Sequence, residues 1–281
     1  NLIEFNFSLT TNGTICNENV KELIKNKFPG IMVSIDGPKE IHDKNRPFVN
    51  SSGSYDIVMK NLQLFKEITS ILPRVTIADF SLDIKNICED LIDKGFTNIA
   101  FEPVSDRAVC EISEEEINNL KLNINNFSLL YLELVKTKQI FINNKITNYL
   151  KIIHNGVKNL GKVFPCSSCI NYYTIAVNGD IYFCHRFNNL QDFKLGNIFT
   201  GFDFERRTNY LQKFFVNNRS QCSKCWAKYL CGGSCYHISF TENGTPDSVS
   251  KIYCIFTKEL IKASLKIYTS LNESEKALIN N

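Results

Sequence analysis

The feature that most constrains this chain is a closely spaced set of cysteines, CSKCWAKYLCGGSC, in which Cys222 to Cys235 follow the pattern C-x2-C-x5-C-x3-C. Thiolates two residues apart can bind one metal centre, because a tight turn presents both sulfurs to the same side. Gly232 and Gly233 permit a close approach of the backbone there. The other cysteines of this region are Cys166, Cys169, Cys184 and Cys254. Together the eight thiols are sufficient for two four-thiolate sites.

The spacing leaves the metal open. Zinc and iron–sulfur clusters both accept four cysteines in this arrangement, so the thiols alone do not separate a zinc-stabilised module from a cluster protein. The three cysteines of the first half are isolated, and we predict that they are reduced structural residues. They are Cys16, Cys88 and Cys110.

Disulfide bonding is disfavoured by the number of cysteines and by the N-terminus. The chain has 11 cysteines, which is an odd number. Its first residues, NLIEFNFSLTTNGT, contain no basic segment followed by the apolar segment of a secretory signal. We therefore predict a cytoplasmic protein. Because the chain does not start with Met and opens directly in a strand-like run, we also expect that an N-terminal portion is missing.

Composition excludes several other classes of protein. The chain has 281 residues, of which 43% are hydrophobic, so it can bury a substantial core. Its net charge of +3 is too balanced to predict binding to nucleic acid. No uncharged apolar run approaches the roughly 18 residues of a membrane span, so we expect no integral membrane segment.

The first half alternates strand-like and helix-like segments. Strands are predicted at residues 2–9, 31–35, 75–78 and 98–101, with Ser54 as the cap of one intervening helix and Ser113 as the start of a capping box. This order favours an α/β fold with parallel strands, as in half of a barrel or a doubly wound sheet. Active sites of such folds lie at the carboxyl ends of the strands. The polar residues at those ends are Thr11, Asn12, Ser34, Asp36 and Glu102; the alternative is that they merely begin loops.

The second half has a different character. After a helical connector at residues 138–165, two strand-like runs flank Asn178-Gly179, which predicts a β-hairpin. A final amphipathic helix is predicted from Ile255 to Ile267. We expect residues 269–281 to form a frayed tail.

These motifs resemble a known family. The order C-x9-G-x4-C from Cys169 to Cys184, then C-x2-C-x5-C-x3-C, then Cys254 resembles the SPASM domain, the auxiliary-cluster domain of radical SAM peptide- and protein-modifying enzymes. SIDGPKEIHDKNRPFVNSSGSYDIVMKNL, from Ser34 to Leu62, and TTNGT, from Thr10 to Thr14, resemble parts of the radical SAM partial barrel. The resemblance covers residues 5–268. It implies a partial barrel at 1–137, a connector at 138–165, a SPASM domain at 166–268 and a tail at 269–281.

The resemblance also implies ligands and cofactors. Two auxiliary 4Fe-4S clusters are expected, the first held by Cys169, Cys184 and Cys235 with Cys166 as candidate fourth ligand. The second would be held by Cys222, Cys225, Cys231 and Cys254. S-adenosylmethionine would face Thr11, Asn12, Ser34, Asp36 and Glu102, and Arg46 would pair with its carboxylate. For Arg46 the alternative is an ion pair with Asp43, three residues away on a helical turn.

One departure from the family pattern is large. A radical SAM enzyme needs C-x3-C-x2-C after its first strand and a Gly-Gly-Glu element after its second, and neither occurs here. We expect both, with a third 4Fe-4S cluster and two βα units, in a missing N-terminal part. The resemblance further implies an electron donor such as flavodoxin or ferredoxin.

The residues after Cys184 bear on the reaction. Enzymes that mature sulfatases typically have an aspartate base there, whereas this chain has His185 and Arg186. The sequence CHRF resembles maturases that form thioether crosslinks in ribosomally made peptides, so we predict a cysteine-containing peptide or protein substrate and catalytic roles for His185 and Arg186. The alternatives are that both side chains merely solvate the hairpin, that the enzyme oxidises a protein as sulfatase maturases do, or that the chain is a zinc or iron–sulfur module or a scaffold without catalysis.

Overall fold

The computed structural model describes residues 6–104, 112–137 and 142–280. These residues divide into two compact units. The strand–helix unit comprises residues 6–104, 113–137, 142–150 and 263–280, and the cysteine-rich unit comprises residues 112 and 151–262. No described helix is long and apolar enough to cross a membrane.

The strand–helix unit contains a five-stranded parallel sheet in the order β1-β2-β3-β4-β5, which confirms the α/β prediction. Its strands are β1 (Leu9–Thr11), β2 (Gly30–Ser34), β3 (Ser70–Ile77), β4 (Asn98–Pro103) and β5 (Ile142–Asn143). Its helices are α1 (Glu18–Lys27), α2 (Lys39–Asn45), α3 (Tyr55–Lys66), α4 (Ile84–Asp93), α5 (Glu114–Lys136) and α6 (Asn144–Asn155). Each crossover between parallel neighbours runs through at least one helix, as this topology requires.

Helix α4 illustrates why these segments fold as they do. Its apolar residues recur at helical spacing, and Ile84, Ile87, Cys88 and Leu91 are all buried. The Asp83 side chain accepts hydrogen bonds from the first-turn amides, and Gly95 (φ +79°) ends the helix in the left-handed conformation. Cys88 is 1% exposed, which places it in the core.

Two predictions for the first strands and helices were wrong. The first described strand is Leu9–Thr11, whereas residues 6–8 are not in a strand and residues 1–5 lie outside the described residues. Its partner β2 begins only after Pro29, which has no amide proton for the ladder. The Ser54 side chain does not cap α3: Asp43 accepts the Tyr55 amide at 2.8 Å, while the Ser54 hydroxyl donates to the Arg46 carbonyl at 2.6 Å. The capping box at Ser113 is present as predicted.

The connector and the tail also differ from prediction. Residues 142–143 form β5, a strand too short for periodicity to reveal, and residues 138–141 lie outside the described part of the chain. The last long helix extends over Lys251–Ser270. It is followed by a short helix, Glu273–Lys276, and a 3-10 turn, so the tail is ordered. Leu271 and Ile279 are buried, and their burial holds this segment in place.

The cysteine-rich unit contains a four-stranded antiparallel sheet, β6-β7-β8-β9, of which only the first hairpin was predicted. Its strands are β6 (Thr174–Ile175), β7 (Asp180–Tyr182), β8 (Lys194–Asn197) and β9 (Gly201–Phe202). Its helices are α7 (Val157–Leu160), α8 (Phe204–Phe214), α9 (Ser220–Ser223), α10 (Lys228–Cys231) and α11 (Tyr236–Asn243), together with residues 151–155 of α6 and 251–262 of α12 (Lys251–Ser270). The rest of α12 and the short helix α13 (Glu273–Lys276) belong to the strand–helix unit. Gly179 (φ +83°) forms the hairpin turn, and Ala176 and Asp180 close it with a 2.8 Å backbone hydrogen bond.

Candidate functional site

Four of the cysteines surround one cavity of about 470 Å³ in the cysteine-rich unit. Cys222 lies on α9, and its carbonyl accepts the amide of Cys225 at 2.9 Å in the tight turn that the C-x2-C spacing predicted. Cys231 ends α10, and Cys254 comes from α12. The second predicted ligand set is therefore brought together around a single space.

The electrostatics of this group disfavour four free thiolates. The pKa of Cys231 is raised to about 11, mainly by burial and also by the charges of Cys254, Cys222 and Cys225, while a hydrogen bond with the Gly233 backbone lowers it. Burial also raises the pKa of Cys222, while the charge of Arg219 lowers it. Thiols that oppose one another's ionisation can all be deprotonated when a bound cation compensates their charge. This donor set fits a metal centre.

The other four predicted ligand cysteines belong to the same unit, and two of them, Cys169 and Cys184, contact its aromatic core. Cys169 is fully buried in that core, with φ +65°, and Cys184 packs against it. The Cys166 thiol donates to the Ser168 hydroxyl at 3.3 Å. Cys235 precedes α11: burial raises its pKa, whereas backbone hydrogen bonds from Ile238 and His237 lower it.

Tyr236 shares the buried aromatic core with Cys169 of this first thiol group. Burial raises the pKa of Tyr236; the charges of Cys166, Cys169 and Cys235 raise it further, and the charge of Arg219 lowers it. The residue is 2% exposed, and its hydroxyl oxygen has no hydrogen-bond partner among the described residues. A buried hydroxyl beside thiols with no acceptor of its own fits a site that receives a further group.

His185 and Arg186, the predicted catalytic pair, lie beside this first thiol group. His185 Nδ1 is 2.9 Å from the Tyr172 hydroxyl and 3.8 Å from Cys184 Sγ. The charge of Arg186 lowers the pKa of Cys235. Tyr172 was not singled out by its sequence, because only the fold of the hairpin brings it to His185.

The described thiols are neither arranged around a single ion nor paired in disulfides. Among the residues that the structure describes, no group of three or more His, Cys, Asp or Glu side chains is arranged to hold a single metal ion. None of the ten described cysteines is in a disulfide.

At the carboxyl ends of the parallel strands, two predicted site residues bind each other. Arg46 donates from Nε and Nη2 to the Asp36 carboxylate at 2.9 and 3.1 Å, and Nη2 also donates to the Thr76 hydroxyl at 3.0 Å. Asp36 is 1% exposed, and it also accepts the Thr76 amide at 2.9 Å. The ion pair of Arg46 is therefore with Asp36, and Asp43, the alternative partner, instead caps α3.

The remaining strand-end residues take part in local contacts. The Thr11 hydroxyl accepts the Gly13 amide at 3.1 Å, and the Asn12 side chain accepts the Thr14 amide at 3.1 Å. Ser34 is the last residue of β2. Glu102 Oε1 forms an ion pair with Lys145 Nζ at 3.0 Å. Neither Thr76 nor Lys145 was predicted, because no local motif marks them.

Comparison with known proteins finds relatives along nearly the whole chain. No protein-family model matches it. The chain is 27% identical over 278 residues to a cysteine-type anaerobic sulfatase-maturating enzyme of Clostridium perfringens (strain 13 / Type A), a match covering 91% of this chain and 70% of that protein. It is 26% identical to a serine-type anaerobic sulfatase-maturating enzyme of Bacteroides thetaiotaomicron, covering 85% of this chain and 63% of the relative.

Solved structures show the same fold. The native anSMEcpe structure with bound AdoMet and Cp18Cys peptide aligns with a TM-score of 0.75 and 19% identity over 98% of this chain and 76% of that one. The native anSMEcpe structure with bound AdoMet aligns with a TM-score of 0.74 and 21% identity, covering 98% and 74%. The chain is thus similar in sequence to anaerobic sulfatase-maturating enzymes over nearly its whole length, and its α/β fold is that of the AdoMet-bound anSMEcpe structures.

Proposed function

We propose that this chain belongs to a radical SAM enzyme that oxidises a side chain of a protein or peptide, in the manner of sulfatase maturation. The match to a sulfatase-maturating enzyme over 91% of the chain carries this proposal, because it includes residues of both units. The bound peptides named for the anSMEcpe structures support a peptide or protein substrate. We place the enzyme in the cytoplasm, where thiol ligands stay reduced.

We propose that the two thiol groups of the cysteine-rich unit bind 4Fe-4S clusters. The second group lines a cavity of about 470 Å³. Four thiols can hold either zinc or a 4Fe-4S cluster, and the resemblance of the cysteine pattern to auxiliary-cluster domains favours the cluster. The first group would use Cys166, Cys169, Cys184 and Cys235, and the second Cys222, Cys225, Cys231 and Cys254.

At the strand ends, Thr11, Asn12, Ser34, Asp36, Arg46 and Glu102 are the proposed contacts of S-adenosylmethionine. When reduced by one electron, this cofactor supplies the 5′-deoxyadenosyl radical that abstracts a hydrogen atom from the substrate. Asp36 holds the Arg46 guanidinium through Nε and Nη2, which fixes its orientation. We propose that the cluster that delivers this electron lies outside the present residues and is reduced by a flavodoxin or ferredoxin.

His185 is the proposed proton acceptor. Its Nδ1 is 2.9 Å from the Tyr172 hydroxyl, which orients the ring beside Cys184. The neutral ring carries one proton, on Nε2 if Tyr172 donates to Nδ1 and on Nδ1 if Nδ1 donates to Tyr172. The proposed role uses the second tautomer, because Nε2 can then accept a proton. Arg186 adds a positive charge next to the first thiol group and is proposed to favour its thiolate form. Thioether formation is the second candidate, and the CHRF sequence at residues 184–187 is the observation that favours it.

The product of the reaction tests both candidates. The full-length protein, purified and reconstituted without oxygen, is incubated with AdoMet, dithionite and a peptide carrying a sulfatase-type cysteine motif. We expect formylglycine, identified by mass spectrometry and by an aldehyde-reactive probe. A thioether crosslink in a cysteine-rich peptide, with no aldehyde from the sulfatase-type peptide, would replace the first candidate by the second. Iron and sulfide analysis should give about eight of each for the cysteine-rich unit, and zinc without sulfide would contradict both candidates.

A further inference from the structure

The Tyr236 hydroxyl is a feature of the first thiol group that the proposed chemistry leaves unexplained. A buried tyrosine hydroxyl normally has a hydrogen-bond partner, because leaving it unpaired away from water is costly. Other tyrosines near it follow this rule: the Tyr210 hydroxyl donates to the Asp192 carbonyl, and the Tyr173 hydroxyl donates to the Cys169 carbonyl at 3.2 Å. Tyr236, at 2% exposure, has no such partner in the described part of the chain.

The ring of Tyr236 is held firmly. It stacks on Phe214 with ring centroids 4.6 Å apart and meets Phe183 edge-on at 5.1 Å. The guanidinium of Arg219 lies 5.9 Å from the ring centroid. Because aromatic neighbours fix the ring, its hydroxyl cannot swing out to water without disturbing the core.

The first thiol group and Tyr236 share one part of the cysteine-rich unit. Tyr236 shares one buried core with Cys169, and Cys184 packs against the same core. It also follows Cys235 directly in the chain. A thiolate or sulfide sulfur accepts hydrogen bonds, and bonds to sulfur are among the factors that set the potential of an iron–sulfur cluster.

We propose that the Tyr236 hydroxyl donates a hydrogen bond to a sulfur of the cluster bound by Cys166, Cys169, Cys184 and Cys235, and thereby raises the reduction potential of that cluster. This inference rests on the cluster sites of the proposed function. A donated hydrogen bond stabilises the reduced cluster more than the oxidised one, since the sulfurs carry more negative charge after reduction. Tyr236 is then a positioning and tuning residue of the cluster and not a ligand.

Tyr236→Phe tests the proposal, because it removes the hydroxyl and keeps the ring packing. The midpoint potentials of wild type and variant are measured on the reconstituted protein by EPR-monitored redox titration. We expect the midpoint potential of one of the two auxiliary clusters to fall by about 59 mV. For one electron this corresponds to about a tenfold change in the ratio of reduced to oxidised cluster. The potential of the other cluster should not move.

Tyr210→Phe is the matched control. It removes a hydroxyl from the same aromatic core, but one that is already paired with a backbone carbonyl. In the metal-free protein we expect Tyr210→Phe to lower the unfolding temperature and Tyr236→Phe to leave it unchanged or higher. In the loaded protein only Tyr236→Phe should shift a potential.

The outcomes separate this inference from the function on which it rests. If the wild type binds two clusters and Tyr236→Phe leaves both potentials unchanged, the hydrogen bond does not exist and the proposed function stands. An equal shift in Tyr210→Phe would also overturn the inference. If the wild type binds no iron and sulfide, the cluster assignment fails and the inference fails with it.

Discussion

At the scale of the residue, the buried carboxylate of Asp36 is neutralised by Arg46, ten residues further along the chain. Asp43, the protein partner predicted as the alternative for Arg46, binds the Tyr55 amide, and Arg46 makes a two-point contact with Asp36. That carboxylate is almost fully buried and also accepts the Thr76 amide. Such a pair needs these additional hydrogen bonds to offset the cost of removing the charges from water.

Arg219 is a buried cation of a different kind. It is 2% exposed, and its guanidinium donates to the carbonyls of Asp247 at 3.1 Å, Ser234 at 3.3 Å and Pro246 at 3.4 Å, and also to that of Ser248. No carboxylate forms an ion pair with it among the residues described in the structure. Its charge lowers the pKa of Cys222, so it favours the thiolate there.

Arg219→Met should therefore destabilise the metal-free protein by about 3–5 kcal/mol, because it leaves several buried carbonyls without a donor. Urea unfolding followed by circular dichroism measures the change. Arg206→Met is the control, since the Arg206 side chain is 46% exposed and pairs with Asp203 at the surface. We expect that control to cost less than about 1 kcal/mol. Similar losses in the two variants would show that Arg219 is not a structural cation.

At the scale of the element, two glycines end neighbouring helices in the same conformation but in different surroundings. Gly232 (φ +75°) ends α10, and Gly244 (φ +73°) ends α11. A Cβ atom at Gly232 would collide with the Phe164 carbonyl oxygen, whereas a Cβ atom at Gly244 would meet nothing within 4 Å. Gly232 is therefore needed for two reasons: its backbone conformation is left-handed, and a side chain would collide with Phe164.

This difference gives a paired prediction. Gly244→Ala should cost about 1–2 kcal/mol, the strain of a left-handed residue. Gly232→Ala should cost that amount and about 1–3 kcal/mol more, because the backbone of Phe164 must move. The free energies of unfolding from urea titration decide between them. Equal losses would contradict the close packing of α10 against residue 164.

At the scale of the whole molecule, the second thiol group depends on a residue far from the cysteine-rich motif. Cys222, Cys225 and Cys231 are close in sequence, but Cys254 comes from α12 and lines the same cavity. The helix α11 and the loop that follows it connect Cys235 to α12, which carries Cys254 to the cavity. The ligand set is therefore a product of tertiary structure.

Cys254→Ser should lower the iron and sulfide content of the reconstituted full-length protein by about four of each, because one cluster loses a ligand and the others keep theirs. Colorimetric iron and sulfide analysis measures the loss. Cys16→Ser is the control: Cys16 lies in the strand–helix unit, outside both thiol groups, and its substitution should leave the iron content unchanged. Unchanged iron in Cys254→Ser would remove Cys254 from the ligand set.

The sequence by itself determined the elements whose signals are local. Hydrophobic periodicity over α4, the capping box at Ser113 and the Asn178-Gly179 turn each depend on residues within one element, and each is present in the structure. The order of strands and helices was likewise sufficient to predict a parallel α/β sheet. Short strands such as β5 contain too few residues to give a periodic pattern.

Only the tertiary structure decided which residues meet. The contacts of Arg46 with Asp36, of Glu102 with Lys145 and of His185 with Tyr172 join residues that no local pattern relates. The tail is ordered because Leu271 and Ile279 find apolar surface to cover, which sequence position alone does not reveal. The physical reason is the same in each case: the hydrogen bonds of helices, caps and tight turns join neighbours in the chain, whereas burial and charge pairing are set by neighbours in space.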